Sequence, residues 1–239
     1  MKFLRTIAPP VLVCAAVLTA IGFVFFVAPR ERPTMGEVQR IFYFHVSFAF
    51  SCLILFLTSA AASVTYLVTR RSSNYRFIAR ASDRLAGSAA EVGVVCGAIV
   101  LITGPLWAKP VWLVYWTWEP RLMLMLLTEF LFVGYLVLRR FAGTDEAGKQ
   151  LAAGIAAIGG PAVYFIHVAV QMWGGNHPTV VTEGGGGLQH PDMKIAFFVS
   201  LGAVASFVIY LVAARYRHHR TMETIEEAHL DLDDLEALS

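Results

Sequence analysis

The stretch from Ile41 to Thr69, IFYFHVSFAFSCLILFLTSAAASVTYLVT, contains no aspartate, glutamate, lysine or arginine. A helix rises 1.5 Å per residue, so about 20 apolar residues are enough to cross the roughly 30 Å hydrocarbon core of a bilayer. This stretch is longer than a bilayer requires, and we expect its first turns to project beyond the membrane. It predicts a transmembrane helix.

Five further apolar runs accompany this one in a chain of 239 residues, of which 57% are hydrophobic and 15% are charged. The six predicted spans are 8–29, 41–69, 85–106, 120–138, 151–171 and 193–214. The first run is too long for the apolar region of a signal peptide. The sequence therefore predicts an all-α, polytopic membrane protein, with a six-helix membrane domain at residues 1–220 and an acidic tail at 221–239. From its composition the tail is interpreted as a solvated, partly disordered segment, with a short amphipathic helix as the alternative.

Basic residues are distributed unevenly between the two sides of the predicted bundle. Thirteen of the 19 lysines and arginines lie on the side of both termini, and six lie on the other side. Because basic residues are enriched in cytoplasmic loops, both termini are predicted to be cytoplasmic. Loops 30–40, 107–119 and 172–192 are then outside. The net charge of +2 follows from this asymmetry and gives no indication of nucleic-acid binding.

The cysteines and the acidic residues within the spans limit the possible chemistry. Cys14, Cys52 and Cys96 fall in three different spans, which excludes a disulfide framework or a CxxC redox pair. The chain also has no CxxCH motif for covalent heme attachment. Glu91 and Glu129 lie within spans, where an ionisable side chain is costly and often functional, but the sequence assigns neither of them a role.

The second outer loop is dominated by aromatic side chains. They are Trp107, Trp112, Tyr115, Trp116 and Trp118, and they include four of the five tryptophans of the chain. Tryptophan is enriched at membrane interfaces because its ring is apolar and its N–H seeks water, so an interfacial belt is one interpretation. Four tryptophans this close together favour a continuous aromatic platform instead, and such a platform suits a flat, apolar macrocycle such as heme.

Histidines on the same side add candidate ligands to this platform. They are His45 near the outer end of the second span, His167 near that of the fifth, and His177 and His190 in the third outer loop. A single histidine is most often structural, but neutral imidazole is a common axial ligand of heme iron. His45 and His177 are the predicted ligand pair, with His190 ahead of His167 as a reserve because a loop can move.

Positive charges on this side match the two propionates of heme. Arg40, Lys109 and Arg121 are all predicted outside. Glu119, Pro120 and Arg121 also predict a helix start, because proline is favoured at the first helical position and helix N-termini attract anions. The alternative is that these charges only mark where helices meet the membrane interface, above all for Lys109.

Taken in order, these features resemble the cytochrome c maturation proteins of the heme exporter protein C family. That family has six helices, a tryptophan-rich outer loop known as the WWD domain, and one histidine on each flank of the loop. The resemblance runs from the second helix to the start of the sixth. Residues 107–121 look like the signature loop, and His45 and His177 fall at the positions of the flanking histidines. Arg40 precedes His45 by five residues.

The chain departs from the family pattern within this loop. Glu119 stands in place of the usual aspartate, and Tyr115 stands in place of a tryptophan. Ala108 and Leu113 occupy positions where glycines are common. Aromatic character and charge are nevertheless kept.

The resemblance implies that heme b is held at the periplasmic face of a bacterial inner membrane and passed to a periplasmic heme chaperone. The implied partners also include ABC-type heme export subunits and a small membrane peptide. The chain would be a heme-presenting subunit, with no reaction of its own established by the sequence. The implied heme-binding set is His45, His177, Trp107, Trp112, Tyr115, Trp116, Trp118, Glu119, Arg121 and Arg40, with the two histidines on the iron.

Three alternative functions account for fewer of these features. A cytochrome c heme-attachment synthetase also has a tryptophan-rich loop, but such proteins are larger and carry a further histidine pair within the membrane, where this chain offers only His167. A b-type membrane cytochrome needs histidine pairs at membrane depth on facing helices, and the sequence lacks that pattern. A small-solute transporter is suggested only by Glu91, Glu129 and the glycines.

Overall fold

The computed structural model describes residues 2–30, 35–143, 145–177, 188 and 190–237 of the chain. These residues include six helices that are long and apolar enough to cross a membrane. Their bounds are α1 (Lys2–Gly22, continued by a π-helical turn at Phe23–Val27), α2 (Gln39–Thr69), α3 (Arg76–Trp112, after a 3₁₀ turn at Ser73–Tyr75), α4 (Pro120–Ala142), α5 (Glu146–Trp173) and α6 (Pro191–Ala237). The predicted six-helix membrane fold is confirmed.

Successive spans alternate in direction, so the connections fall at two ends of the bundle. We call the end that carries residues 113–119 the aromatic end, and the end that carries residues 70–75 the terminal end. Helices α2, α4 and α6 all begin at the aromatic end, as the sequence predicts. In the loop 172–192, the glycine run 184–187 lies outside the described residues.

Two helices are longer than their apolar runs. The third begins before the predicted residue 85, and the sixth continues well past residue 214. Ion pairs at the terminal end explain both extensions, because Arg84 on α3 contacts Glu223 on α6 at 2.7 Å. Residues 221–237 continue α6 as a helix, and most of the side chains described there are exposed to solvent.

Helix α2 lies at the centre of the bundle and packs against α3, α5 and α6. Its Phe56 ring stacks on Phe132 of α4 with the ring centroids 4.0 Å apart. A Cβ at Gly93 of α3 would lie 2.9 Å from the Phe56 ring, so glycine allows this close approach. Ser59 donates a hydrogen bond to the carbonyl of Ala86 across the same interface at 2.9 Å. Small residues and interhelical hydrogen bonds of this kind hold helices together in lipid, where the hydrophobic effect gives no net drive.

The structure gives a role to one of the two acids left unassigned by the sequence. Glu91 pairs with Arg215 and lies 3.1 Å from Nε2 of His219, so it joins α3 to α6. Glu129 is buried beside Gly97, and its Oε2 has no hydrogen-bond partner in the described part of the chain. The pairing of Glu91 explains a charged residue in this span without invoking transport.

Candidate functional site

The first half of the aromatic loop is helical. Trp107 and Trp112 belong to the last turns of α3, which ends at Leu113 with a φ of 62°. Within the described residues, Leu113 is the only non-glycine with a positive φ. A left-handed backbone is the conformation that glycine adopts most readily, so a leucine here is unusual. Lys109 donates to the Leu113 carbonyl at 2.5 Å, so its amino group stabilises the end of α3.

A cavity of about 290 Å³ opens at the aromatic end, with walls from α2, α3, α4 and α5. Much of its wall is apolar, with Val100, Met125 and Ile166 among the contributors. A mostly apolar cavity with a few convergent polar groups is typical of a small-molecule site. Seven of the predicted site residues line it: His45, Trp107, Trp112, Tyr115, Trp116, Arg121 and His177.

The other three predicted site residues do not line this cavity. Trp118 is 76% exposed and meets Trp116 edge-on, with ring centroids 6.1 Å apart. Arg40 pairs with Glu37 at 3.0 Å, at the start of α2. Glu119 is buried, and its carboxylate contacts the loop between α5 and α6 at Asn176.

The imidazole of His45 is held in place by helix α3. The ring is buried, and its Nδ1 lies 2.9 Å from the hydroxyl oxygen of Thr103. One face lies against Trp107, with the ring planes 18° apart and the centroids separated by 6.2 Å. A Cβ at Gly104 would lie 3.1 Å from Cε1 of His45, so a side chain there would crowd the ring. The orientation of His45 is therefore set by packing and by a hydrogen bond.

Glu119 connects the aromatic loop to the segment that carries His177. Helix α4 begins at Pro120 as predicted, but the Glu119 side chain does not cap it. Instead, Oε2 of Glu119 accepts a hydrogen bond from the backbone N–H of Asn176 at 2.7 Å. Gly175 has a φ of 148°, and a Cβ there would lie 3.1 Å from the same oxygen. Glycine is thus required at this close approach.

The reserve histidines differ in their position relative to the cavity. His167 of α5 lines it together with Gln171, whereas His190 does not. His190 is exposed, and its Nδ1 accepts a hydrogen bond from the backbone N–H of Asp192 at 3.2 Å. The cavity therefore favours His167 over His190 as a reserve ligand, the reverse of the order expected from the sequence. Gln171 was missed because a single amide near a helix end resembles an ordinary solvated residue.

Two buried N–H groups at the cavity have no acceptor among the residues that the structure describes. They are the indole Nε1 atoms of Trp107 and Trp116, which have no hydrogen-bond partner among the described residues. Buried polar groups are nearly always paired, so an unpaired donor in the wall of a cavity indicates an acceptor supplied by a ligand. Arg121 adds a cation to the same wall. The site therefore suits a ligand that is largely apolar and carries anionic groups.

The family follows from a comparison with known proteins. The family model described as heme exporter protein C matches residues 1–230, which is nearly the whole chain. The chain belongs to the heme exporter protein C family. The resemblance found in the sequence is confirmed.

Curated relatives agree with this family assignment. The heme exporter protein C of Paracoccus denitrificans is 27% identical over 219 residues, covering 90% of this chain and 83% of the relative. The heme exporter protein C of Escherichia coli K12 is 30% identical over 173 residues, which cover 71% of this chain and 66% of that relative. A third relative is a ccmC-like mitochondrial protein of Marchantia polymorpha assigned to cytochrome c biosynthesis. It is 30% identical over 181 residues, which cover 75% of this chain and 72% of that relative. Membership of the heme exporter protein C family places this chain among the membrane proteins of cytochrome c biogenesis.

Proposed function

We propose that this protein binds one heme at the aromatic end and presents it to a heme chaperone during the maturation of c-type cytochromes. The observation that carries the proposal is the convergence of His45 and His177 on one cavity walled by tryptophans. Family membership supports heme as the ligand. We assign the protein no reaction of its own: it is a carrier that holds heme and releases it.

The donor set fits heme better than a free metal ion. The described residues contain no group of three or more histidine, cysteine, aspartate or glutamate side chains that could hold a metal ion. Heme supplies the iron together with four of its ligands, so that the protein needs to add only two imidazoles. Because the sequence contains no CxxCH motif for covalent attachment, the heme would be held without thioether bonds, and we propose heme b from the family resemblance.

The remaining polar groups match the propionates. Arg121 supplies a cation, and the unpaired indole N–H groups of Trp107 and Trp116 supply donors for anionic oxygens. At about 290 Å³ the cavity is at the lower end of the range for ligand pockets, so a macrocycle would be only partly enclosed. Partial enclosure suits a protein that must pass its ligand on.

Charge reversal separates the two arginines. The substitution Arg121→Glu should weaken heme retention at least tenfold, because it removes a charge-assisted partner of a propionate, a contact that contributes about 1.5–3 kcal/mol. Arg40→Glu should change heme retention much less, since Arg40 pairs with Glu37 and does not line the cavity. Chaperone docking remains its predicted role. Heme dissociation from detergent-purified variants measures the difference. Wild-type heme retention and wild-type heme loading of the chaperone in both variants would make the two arginines interfacial anchors only.

We further propose that the aromatic end faces the periplasm of a bacterial inner membrane and that both termini are cytoplasmic. The support is the excess of lysine and arginine at the terminal end. Reporter fusions after Gly36, Gly175 and Gly186 should report the periplasm, and fusions after Ser73, Gly143 and Thr221 the cytoplasm. Gly186 lies outside the described residues. A single reversed loop would contradict the proposed orientation.

The expected partners follow from the family. Heme exporter protein C implies a complex with other components of the same maturation system. We propose that these are ABC-type export subunits, a small membrane peptide and the periplasmic heme chaperone. The test is transfer: heme-loaded protein is mixed with the purified chaperone of the same organism, and heme is quantified on each after separation. The mixture also contains the other components of the complex. Heme should then move to the chaperone. Full retention of heme on the membrane protein would contradict a presenting role.

A further inference from the structure

Thr103 of α3 makes the only side-chain hydrogen bond to His45 found among the described residues. Nδ1 of His45 lies 2.9 Å from Oγ1 of Thr103, and the same hydroxyl lies 2.7 Å from the carbonyl oxygen of Ile99. A hydroxyl has one proton to donate and can also accept. If that proton pointed at His45, two oxygens would face each other at 2.7 Å with no proton between them. The hydroxyl therefore donates to Ile99 and accepts from Nδ1–H of His45.

This assignment fixes the tautomer of His45. In a neutral imidazole one nitrogen carries the proton and the other keeps its lone pair. With the proton on Nδ1, the lone pair of Nε2 is available to bind a metal. We propose that Thr103 is a positioning residue that selects this tautomer and keeps Nε2 of His45 ready for heme iron. The inference rests on the proposed ligation of heme by His45.

Thr103 does not act alone on the orientation of the ring. Gly104 leaves the space that Cε1 of His45 occupies, and Trp107 lies along one face of the ring. These residues are close neighbours on α3, so one helix supplies the hydrogen bond, the space and the flat wall. When the ring nitrogen that does not bind the metal donates a hydrogen bond, the imidazole also becomes a stronger electron donor to the metal. Thr103 should therefore influence the iron as well as the ring.

The chain offers a closely matched set of variants. Thr103→Val keeps the shape of the side chain and removes the hydroxyl, and Thr103→Ser restores a hydroxyl. The control is Thr65→Val on α2, because the Thr65 hydroxyl donates to the carbonyl of Ala61 at 2.9 Å in the same way but lies on an exposed face. A general effect of losing such a bond within a helix would appear equally in Thr65→Val.

The first measurement uses heme-free protein. Nitrogen-15 NMR of histidine-labelled, detergent-purified protein reports which ring nitrogen of His45 carries the proton, with the His45→Ala protein used to assign the signals. Wild type, Thr103→Ser and Thr65→Val should show a protonated Nδ1 and a bare Nε2. Thr103→Val should show a mixture of tautomers. This readout does not depend on heme binding.

The second measurement uses bound heme. Thr103→Val should bind heme roughly 10- to 100-fold more weakly, as is usual when the hydrogen-bond partner of a metal-binding histidine is removed, and its heme should have a higher reduction potential. Thr103→Ser should return both values toward those of wild type. If Thr103→Val equals wild type in tautomer, affinity and potential while His45→Ala loses heme, the inference about Thr103 is overturned and the proposed function stands. Full heme binding by His45→Ala would overturn the proposed ligation, and this inference with it.

Discussion

Replacing His45 by alanine is expected to convert a six-coordinate heme complex into a five-coordinate one of much lower occupancy. The side chain is buried and lines the cavity, with α3 packed around its ring. Loss of a direct ligand should cost more than the roughly 10- to 100-fold in affinity that follows from changing only its hydrogen-bond partner. His177→Ala should have the same effect from the other side of the iron. Absorption spectra and heme-to-protein ratios of the purified variants measure both.

Two further experiments test whether the loss of heme reflects the loss of an iron ligand. They are the addition of free imidazole and the substitution of His167. Free imidazole should partly restore the six-coordinate spectrum in either variant, because the deleted side chain leaves space for it. His167→Ala is the matched control, since His167 lines the same cavity. If His167→Ala loses heme while His45→Ala and His177→Ala keep a complete six-coordinate spectrum, the ligand assignment is wrong.

Replacing Glu119 by alanine is expected to release the segment that carries His177. The substitution removes the acceptor of the Asn176 N–H, a hydrogen bond to a charged group that contributes about 1.5–3 kcal/mol. That loss corresponds to roughly a 10- to 150-fold decrease in the equilibrium constant for holding this segment against residue 119. Heme should dissociate faster by a comparable factor, which stopped-flow transfer to excess apomyoglobin measures directly.

Two variants distinguish this contact from a general effect of charge. Glu119→Gln keeps an acceptor for the Asn176 N–H and should dissociate much more slowly than Glu119→Ala. Glu37→Ala removes an exposed acid at the same end of the bundle and should leave dissociation near the wild-type rate. Equal dissociation rates for wild type and Glu119→Ala would mean that Glu119 does not hold the His177 segment. Gly175→Ala should resemble Glu119→Ala, because its Cβ would crowd the same carboxylate.

Features that are continuous along the chain could be predicted from the sequence. Apolar runs of membrane length gave the six helices, because the thickness of the bilayer sets the length of a span. The clustering of aromatic residues with histidines and a cation on the same side of the bundle predicted seven residues of the cavity wall. The start of α4 at Pro120 followed from the conformational preference of proline.

Features that depend on contacts between distant segments could not be predicted in this way. Composition left open whether the tail is helical, and it gave no indication that Glu223 of α6 pairs with Arg84 of α3. Arg40 was expected to contact the heme, but it forms an ion pair with Glu37 and does not line the cavity. Thr103 shows no signal in sequence, because a threonine in an apolar helix is ordinary until its distance to His45 is known. Tertiary partners decide these roles.

The most direct test of the central claim is low-temperature electron paramagnetic resonance of the ferric, detergent-purified protein, with iron and heme quantified on the same sample. We expect one heme per chain with the low-spin signal of an iron held by two imidazoles. That signal should be absent from the His45→Ala, His177→Ala double variant. A high-spin signal in wild type, or a low-spin signal that persists unchanged in the double variant, would contradict the claim that these two histidines hold the heme.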